Sequence, residues 1–457
     1  MIAPLDQLLE PLDSVMTAAL TGTVVRIEGL MIAVADFPAP IGAQVAIERP
    51  GASELTGEVI AFHDHRTLVF PAGPSAGVRF GNRVRLTRST STVRVGPSLM
   101  GRVLDAFGQP LDGLPPPSVT HRVPVHRSPP EATSRPRIDQ PLSTGIRAID
   151  GLLTCGRGQR IGIFSGSGVG KSVTLGMMAR YTSADVNVIA LVGERGREVN
   201  DFLERDLGAA GRARSVVVVA TSDQPAIVRV RASFVATAIA EYFRDRGANV
   251  LLMMDSVTRF AMAQREIGLA AGEPPTTKGY PPSMYSLLPR LVERSGRTPA
   301  GSITGFYTVL VEGDDTNEPV SDTMRGLLDG HLILSRKLAS KAHYPAIDVL
   351  ESISRVMPDI TSKEHRQAIQ TIREMMGAYR DHEDLISIGA YRAGANPMVD
   401  TAIGMLPDLQ RFLKQEVEQA SSVEAARAEL LQLAQRAATL RSPPPNANAA
   451  SRNVRRN

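Results

Sequence analysis

The stretch Gly162-Ile-Phe-Ser-Gly-Ser-Gly-Val-Gly-Lys-Ser-Val173 decides how the rest of the chain is read. An apolar run enters a glycine-rich turn, and the helix-forming Val173-Thr-Leu-Gly-Met-Met-Ala-Arg180 follows. The order is strand, phosphate loop, helix. Glycine permits the backbone angles that turn successive N–H groups towards one concavity, where a polyphosphate can sit. The positive end of the following helix adds to that attraction. Ser165, Gly166, Ser167, Gly168, Val169, Gly170, Lys171, Ser172 and Val173 are therefore the candidate nucleotide-binding residues. Lys171 is placed to reach the β- and γ-phosphates, and the Ser172 hydroxyl to ligate Mg²⁺. The strict pattern G-x-x-x-x-G-K-[ST] has glycine where this chain has Ser165, a residue small enough to permit the turn. A chance glycine loop is the alternative, and Lys-Ser in register behind an apolar strand weighs against it.

A chain of 457 residues holds two to four domains. Its 43% hydrophobic content is ordinary for a globular protein, so a sizeable core is available. Tryptophan is absent and aromatics are 4%, which argues against a large nucleic-acid stacking platform. A formal charge of +4 demands no polyanionic partner. The single cysteine, Cys155, excludes a disulfide framework and a cysteine metal site, and fits a reducing cytosol. The segment Met1–Glu10 lacks a basic region and a long apolar core, so it is not read as a signal peptide. No window approaches eighteen uninterrupted apolar residues, so membrane association is expected only through partners.

Residues 1–20 carry Leu5, Leu8, Leu9, Leu12, Val15, Met16 and Ala19 at helical spacing, interrupted by Pro11. This is a helix packed on its own domain or a docking helix for a partner. Residues 21–95 change to short β-rich runs separated by Gly and Pro turns, which predicts a small barrel. Residues 96–137 read as an ordered linker. Their proline-rich part, from Leu114-Pro-Pro-Pro117 to Pro136, is expected to hold no regular helix or sheet. From 138 to 360 apolar strands alternate with helices. Strands are expected at 186–192, 215–220, 249–255, 303–311 and 331–335, and helices at 198–209 and 225–246. Such a pattern means an α/β domain with a parallel sheet covered on both faces, its ligand beyond the carboxyl ends of the strands. Residues 361–441 read as a helical domain whose last long helix spans roughly 408–440. The Pro/Asn/Ala-rich tail 442–457 reads as disordered.

Glu194, in Gly193-Glu-Arg-Gly-Arg-Glu198, follows the second strand on the rim that carries the phosphate loop. A carboxylate there can polarise a water for in-line attack on the terminal phosphorus. A solvated charged loop is the bland reading, and the shared rim weighs against it. Asp255 ends the apolar run Val250–Met254, where an aspartate holds Mg²⁺. The eight histidines are scattered, and no Ser/His/Asp grouping is distinctive.

With these motifs in order, the chain resembles the catalytic subunits of the rotary-ATPase family over residues 20–440. Within that family it is most similar to the ATPases of type III protein export, of the flagellar kind. The resemblance rests on Gly101-Arg-Val-Leu-Asp-Ala-Phe-Gly108, Pro141-Leu-Ser-Thr-Gly-Ile-Arg-Ala-Ile-Asp150, the phosphate loop, Gly193-Glu-Arg195 and Asp255-Ser-Val-Thr-Arg-Phe260. The most discriminating run goes from Val311-Glu-Gly-Asp-Asp-Thr-Asn-Glu-Pro319 through His343-Tyr-Pro-Ala-Ile-Asp-Val349 to Ser352-Ile-Ser-Arg-Val-Met357.

The resemblance implies a barrel, a RecA-like P-loop domain and a C-terminal helical domain in a homohexamer with ATP and Mg²⁺ at subunit interfaces. Glu194 would be the catalytic carboxylate, and Lys171 would neutralise charge. Arg355 would reach into the neighbour's site, Arg195 would order the γ-phosphate or the interface, and Tyr344 would stack on adenine. Residues 271–282 would line the central hole against a stalk protein. Further implied partners are a regulator at residues 1–20, an export gate, chaperones and export substrates, at the cytoplasmic face of the inner membrane, with no nucleic acid. The alternatives are a virulence injectisome, a proton-driven synthase subunit, a hexameric RNA helicase and a non-catalytic ring subunit. Ile388–Ala395 lacks the acidic lever of synthase subunits. The barrel segment offers only Phe37, Phe62, Phe70 and Phe80 for stacking on RNA, and retention of Glu194 argues against the ring subunit.

Overall fold

In the computed structural model, which describes residues 20–311 and 318–441, six β-rich runs close on themselves. They are β1 (Thr21–Glu28), β2 (Met31–Ala35), β3 (Gln44–Ile47), β4 (Leu55–His63), β5 (Arg66–Pro71) and β6 (Arg83–Arg88). Antiparallel pairing in the order β1-β2-β5-β4-β3-β6, with β1 on β6, leaves no free edge. Alternate residues fill the interior, among them Val24, Ile32, Val34, Val45, Val59, Val69 and Val84. Met31, Ala33, Leu68 and Phe70 lie outside that interior and join the core of the next domain, which seats the barrel. The expected docking helix, except Leu20, and the tail from 442 lie outside the described residues.

The proline-rich passage contains a strand, contrary to expectation. β7 (Thr92–Val95) pairs antiparallel with β9 (His121–Pro124), and β8 (Val103–Leu104) adds a parallel edge to the main sheet. Pro124 ends a strand of a two-stranded ribbon, where a missing N–H breaks no central ladder. Proline content alone excluded more than the physics requires.

After the small ribbon of β10 (Pro141–Leu142) and β11 (Cys155–Gly156) comes the main sheet. Its strands are β12 (Arg160–Ser165), β13 (Val186–Val192), β14 (Ser215–Ala220), β15 (Asn249–Asp255), β16 (Gly296–Arg297), β17 (Ser302–Leu310), β18 (Gly330–Leu334) and β19 (Ile353–Ser354). The order β19-β18-β12-β17-β15-β13-β14-β8 is parallel throughout except at β19, and β16 pairs antiparallel beside β17. Every residue of β13 and β14 is buried, as a sheet covered on both faces requires. The main covering helices are α1 (Lys171–Tyr181), α2 (Ala226–Arg244) and α3 (Val257–Ala270).

Two helical expectations change. The helix expected at 198–209 is α-helical over Gly196–Asp201, widens to a π-turn over Phe202–Leu207, and resumes over Gly208–Ala213. The wide turn lays the Asp206 carbonyl against Gly176 of α1, where a side chain would collide. The C-terminal domain holds α4 (Lys363–Ser387), α5 (Pro397–Leu413) and α6 (Val423–Arg441). The helix expected over 408–440 is thus broken at 414–422. The buried Gln415 side chain accepts from Arg147 N at 2.8 Å and donates to the Gly145 carbonyl at 2.8 Å, so tertiary bonding overrides local helix preference.

One ion pair ties the linker exit to the sheet domain. Arg294 and Glu241, both 1% exposed, meet side by side at 3.0 and 2.7 Å, and Arg294 Nη1 donates to the Val125 carbonyl at 2.7 Å. Glu241→Ala strands a buried guanidinium, which costs about 3–5 kcal/mol. Urea unfolding should show that loss, and the double variant Glu241→Leu/Arg294→Met should recover most of it.

Candidate active site

β12 delivers the chain to the loop with Ile161–Phe164 buried. Gly168 (φ +75°) and Gly170 (φ +85°) then take left-handed angles, and α1 starts at Lys171. Ser165 is buried and its hydroxyl has no hydrogen-bond partner, so the residue that departs from the strict motif is accommodated in the strand end.

The parallel register explains why distant residues meet. Leu191 of β13 lies opposite Asp255 of β15, so Glu194, three residues further on, rises on the same rim. Lys171 Nζ stands 2.5 Å from Asp255 Oδ1 and 3.5 Å from Glu194 Oε1. Thr308 of β17 donates to the same Asp255 oxygen at 2.7 Å, and the Asp255–Ser256 peptide is cis. Burial favours neutral Lys171, but Asp255 and Glu194 outweigh it and hold the ammonium charged. Burial, and then the Asp255 charge, push Glu194 up to about 7, while Lys171 pulls it down. Glu194 Oε1 is buried and makes no hydrogen bond.

Lys171 and Glu194 wall a cavity of about 520 Å³ together with Gly193, Arg195, Glu198, Ser222 and Arg259. A second cavity of about 1040 Å³ meets it at Gly168 and Gly170 and runs between α1 and the Gln410–Gln419 segment. Tyr344 stands at that junction, 46% exposed, its ring edge 3.4 Å from where a Cβ on Gly170 would lie. The paired cavities fit a polyphosphate on one side of the loop and a planar base on the other.

Mg²⁺ takes oxygen donors in octahedral geometry, usually one or two protein groups plus substrate phosphates and water. Ser172 and Asp255 are such donors. Lys171 and Thr308 both donate to Oδ1 of the Asp255 carboxylate. Two oxygen donors fit a metal that completes its shell with phosphate and water, and among the described residues no group of three or more His, Cys, Asp or Glu that could hold a metal occurs.

Two expected residues take no part in the Lys171–Glu194–Asp255 contacts. Arg195 is 80% exposed at the mouth and pairs loosely with Glu198 at 3.7 Å. Arg355 is exposed beyond β19, and its guanidinium donates to the Leu328 carbonyl at 3.3 Å. Ser354 pairs with Gly330 at the amino end of β18, in line with Ile161. The phosphate loop starts four residues further along β12, about 13 Å away at the rise of a strand. Arg355 therefore does not enter the cleft of its own chain.

Sequence reasoning passed over Arg259. Its side chain packs on Gly193, where an added Cβ would lie 2.7 Å away, and its Nε is buried without a partner. The signal was present: Arg259 follows Asp255 by four residues. Thr308 and the Gln410–Gln419 wall carried no local signal.

A base with a pKa near 7 gives a pH-dependent rate. Water activation needs the ionised carboxylate, so kcat/KM for hydrolysis should fall towards tenfold per pH unit below about 7 and level off above it. A pH–rate profile checks this, and a flat profile between pH 5.5 and 8 would exclude Glu194 as the base.

Comparisons with known proteins bear on the same residues. Residues 145–354 match the nucleotide-binding domain of the ATP synthase alpha/beta family, and residues 361–432 match the T3SS EscN ATPase C-terminal domain. The flagellum-specific ATP synthase of Bacillus subtilis strain 168 is 53% identical over 414 residues, 90% of this chain and 94% of that protein. The SPI-2 type 3 secretion system ATPase of Salmonella typhimurium is 50% identical over 388 residues, 85% of this chain and 89% of the relative. The assembled ATPase EscN of the enteropathogenic E. coli type III secretion system superposes with a TM-score of 0.86 at 45% identity, covering 90% of this chain and all of that one. EscN in complex with its central stalk EscO gives 0.85 at 44% identity over 90% of this chain and all of the other.

Proposed function

This chain belongs to the ATP synthase alpha/beta family, in its protein-export branch, and from that premise we infer that it hydrolyses Mg·ATP at the interfaces of a homohexamer to energise flagellar protein export. The observation that carries the reading is the convergence of Lys171, Glu194 and Asp255 within 3.5 Å of the Lys171 ammonium beside the phosphate loop, while Arg355 lies beyond β19 and outside that cleft.

The loop amides and Lys171 grip the β- and γ-phosphates, and Tyr344 covers the base. Mg²⁺, held through Ser172 and Asp255, would neutralise phosphate charge. Glu194 takes the proton of a water aligned on the terminal phosphorus. Lys171 stays charged and balances the equatorial oxygens. Arg259 lines the same cavity beside Gly193, and Arg195 at its mouth would order the γ-phosphate or the interface.

The exposed turn around Thr277–Gly279 would face the ring's central hole and a stalk protein, as EscN is found with its stalk EscO. Residues 1–20 would dock a regulator, and the export gate, chaperones and export substrates complete the set. No helix among the described residues is long and apolar enough to cross a membrane. Placement at the cytoplasmic face of the inner membrane would come through partners.

ATPase activity measured against protein concentration tests the interface reading. Specific activity should rise steeply as rings assemble, and full activity from a strictly monomeric preparation would end it. A virulence injectisome is the second reading, favoured by the 50% identity to the SPI-2 ATPase. Expression in strains lacking either the flagellar or the injectisome ATPase separates the two: restored motility supports the first, restored effector secretion alone the second.

A further inference from the structure

β17 runs inside the sheet between β12 and β15, and all its residues but Leu310 are buried. Thr308 is 0% exposed there. Valine has nearly the same shape and no polar side-chain atom, so a threonine at such a position costs stability unless its hydroxyl is bonded. Both acceptors within its reach belong to β15. They are Asp255 Oδ1 at 2.7 Å and the Met254 carbonyl at 3.2 Å. A hydroxyl has one proton to give, and the carboxylate is the closer acceptor and the charged one. The register explains the meeting. Tyr307 pairs with Met254, so the next residues along the two parallel strands are Thr308 and Asp255.

Asp255 Oδ1 has a second donor, Lys171 Nζ at 2.5 Å, and the two donors differ in kind. Lys171 sits on a flexible four-carbon stem and also faces Glu194 at 3.5 Å. Its ammonium is the group placed to reach the phosphates, so its grip on Asp255 is shared with them. Thr308 is β-branched and stiff about its one side-chain torsion to the hydroxyl. Its strand is fixed to β15 by a continuous parallel ladder from Asn249 to Met254. With Asp255 only 4% exposed, water does not compete for the bond. A carboxylate pinned at one oxygen has its other oxygen held in a fixed direction. Groups that hold a ligand from behind tune a metal site in this way.

We propose that Thr308 is a positioning residue for the metal of this site: its hydroxyl sets the rotation of the Asp255 carboxylate, so that Asp255 meets Mg²⁺ in one orientation while Lys171 is given over to the phosphates. The proposal rests on the reading of the cleft as an Mg·ATP site. It assigns Thr308 no contact with the nucleotide, and its effect passes through Asp255 alone. Removing the hydroxyl should therefore weaken the contribution of the metal to nucleotide binding and spare the contribution of the loop amides and Lys171.

Affinity of the full chain for a fluorescent, non-hydrolysable ATP analogue, measured once with Mg²⁺ and once with EDTA, isolates the share due to the metal. The quotient of the two affinities is the readout. Thr308→Val keeps the shape and loses the hydroxyl, whereas Thr308→Ser keeps the hydroxyl and loses a methyl group. Valine should shrink the quotient by about tenfold, the lower end of what losing a group behind a metal ligand costs, and leave the affinity in EDTA unchanged. Serine should keep the quotient within about twofold of the parent. A packing role demands the reverse order, because serine empties space in the core and valine does not. Thr308→Ala is a second hydroxyl-free variant should Thr308→Val fail to fold, with thermal unfolding as the control. An unchanged quotient in the hydroxyl-free variant, or a serine variant that falls as far as valine, would overturn the proposal and leave the reading of the site standing. A parent chain that gains no affinity from Mg²⁺ would overturn both.

Discussion

Glu194→Gln is expected to lower ATP turnover by about 10²–10⁴-fold, the range a positioned general base contributes. Gln keeps the size of the side chain and so keeps its packing beside Lys171. What it loses is the capacity to take a proton. Nucleotide binding should survive, because the loop amides and Lys171 make the contacts to phosphate. Affinity should even rise modestly, since one of the two carboxylates facing Lys171 is gone and a polyanion meets less repulsion. The signature is therefore a collapse of kcat with KM unchanged or lower. Asp255→Asn separates the roles. It also removes a charge, but from the group that accepts from Lys171 and Thr308, so it should raise KM for Mg·ATP as well as lower kcat. Stopped-flow binding of a fluorescent ATP analogue, set beside steady-state turnover, distinguishes the two outcomes. Turnover of Glu194→Gln within tenfold of the parent would remove Glu194 from the chemistry.

The positions legible in the sequence are those whose placement follows from local pattern. The loop announces itself because left-handed angles at Gly168 and Gly170 need glycine, and Lys171 follows in fixed register. Glu194 and Asp255 were legible because a parallel sheet brings strand ends to one rim, and the β13–β15 register does so here. What escaped was set by contact between distant segments. Gln415 breaks a helix by bonding to residues near 146, and Asp206 widens another to fit Gly176. The apolar pattern of Val103–Leu104 and His121–Pro124 is too short to register as strand, and only a neighbouring strand makes it one. Much of the second cavity's wall comes from the C-terminal domain, more than 230 residues from the loop, and spacing along the chain carries no signal over that distance.

Arg355→Ala is expected to cost about 10³-fold or more in turnover, the scale of a guanidinium that stabilises the transferring phosphoryl group. The geometry makes this a demand on the assembly. Arg355 follows the carboxyl end of the edge strand β19, its guanidinium donates to the Leu328 carbonyl at 3.3 Å, and it is exposed. Losing so weak and exposed a bond should change the stability of the isolated chain by about 0.5 kcal/mol or less. A large loss of activity with unchanged unfolding therefore points to a role completed by another copy. Mixing decides it. Rings of Glu194→Gln alone lack the base at every interface, and rings of Arg355→Ala alone lack the arginine. Co-assembled from equal amounts, about a quarter of the interfaces would join an intact Glu194 to an intact Arg355 from the neighbouring protomer. Two nearly inactive proteins should thus recover activity when dissociated and reassembled together. An arginine acting within its own chain also leaves an intact pair out of reach, because no mixed protomer holds both groups, and the mixture stays inactive. Recovery would establish the shared cleft. Its absence, with mixed rings demonstrated by native mass spectrometry, would confine Arg355 to its own subunit.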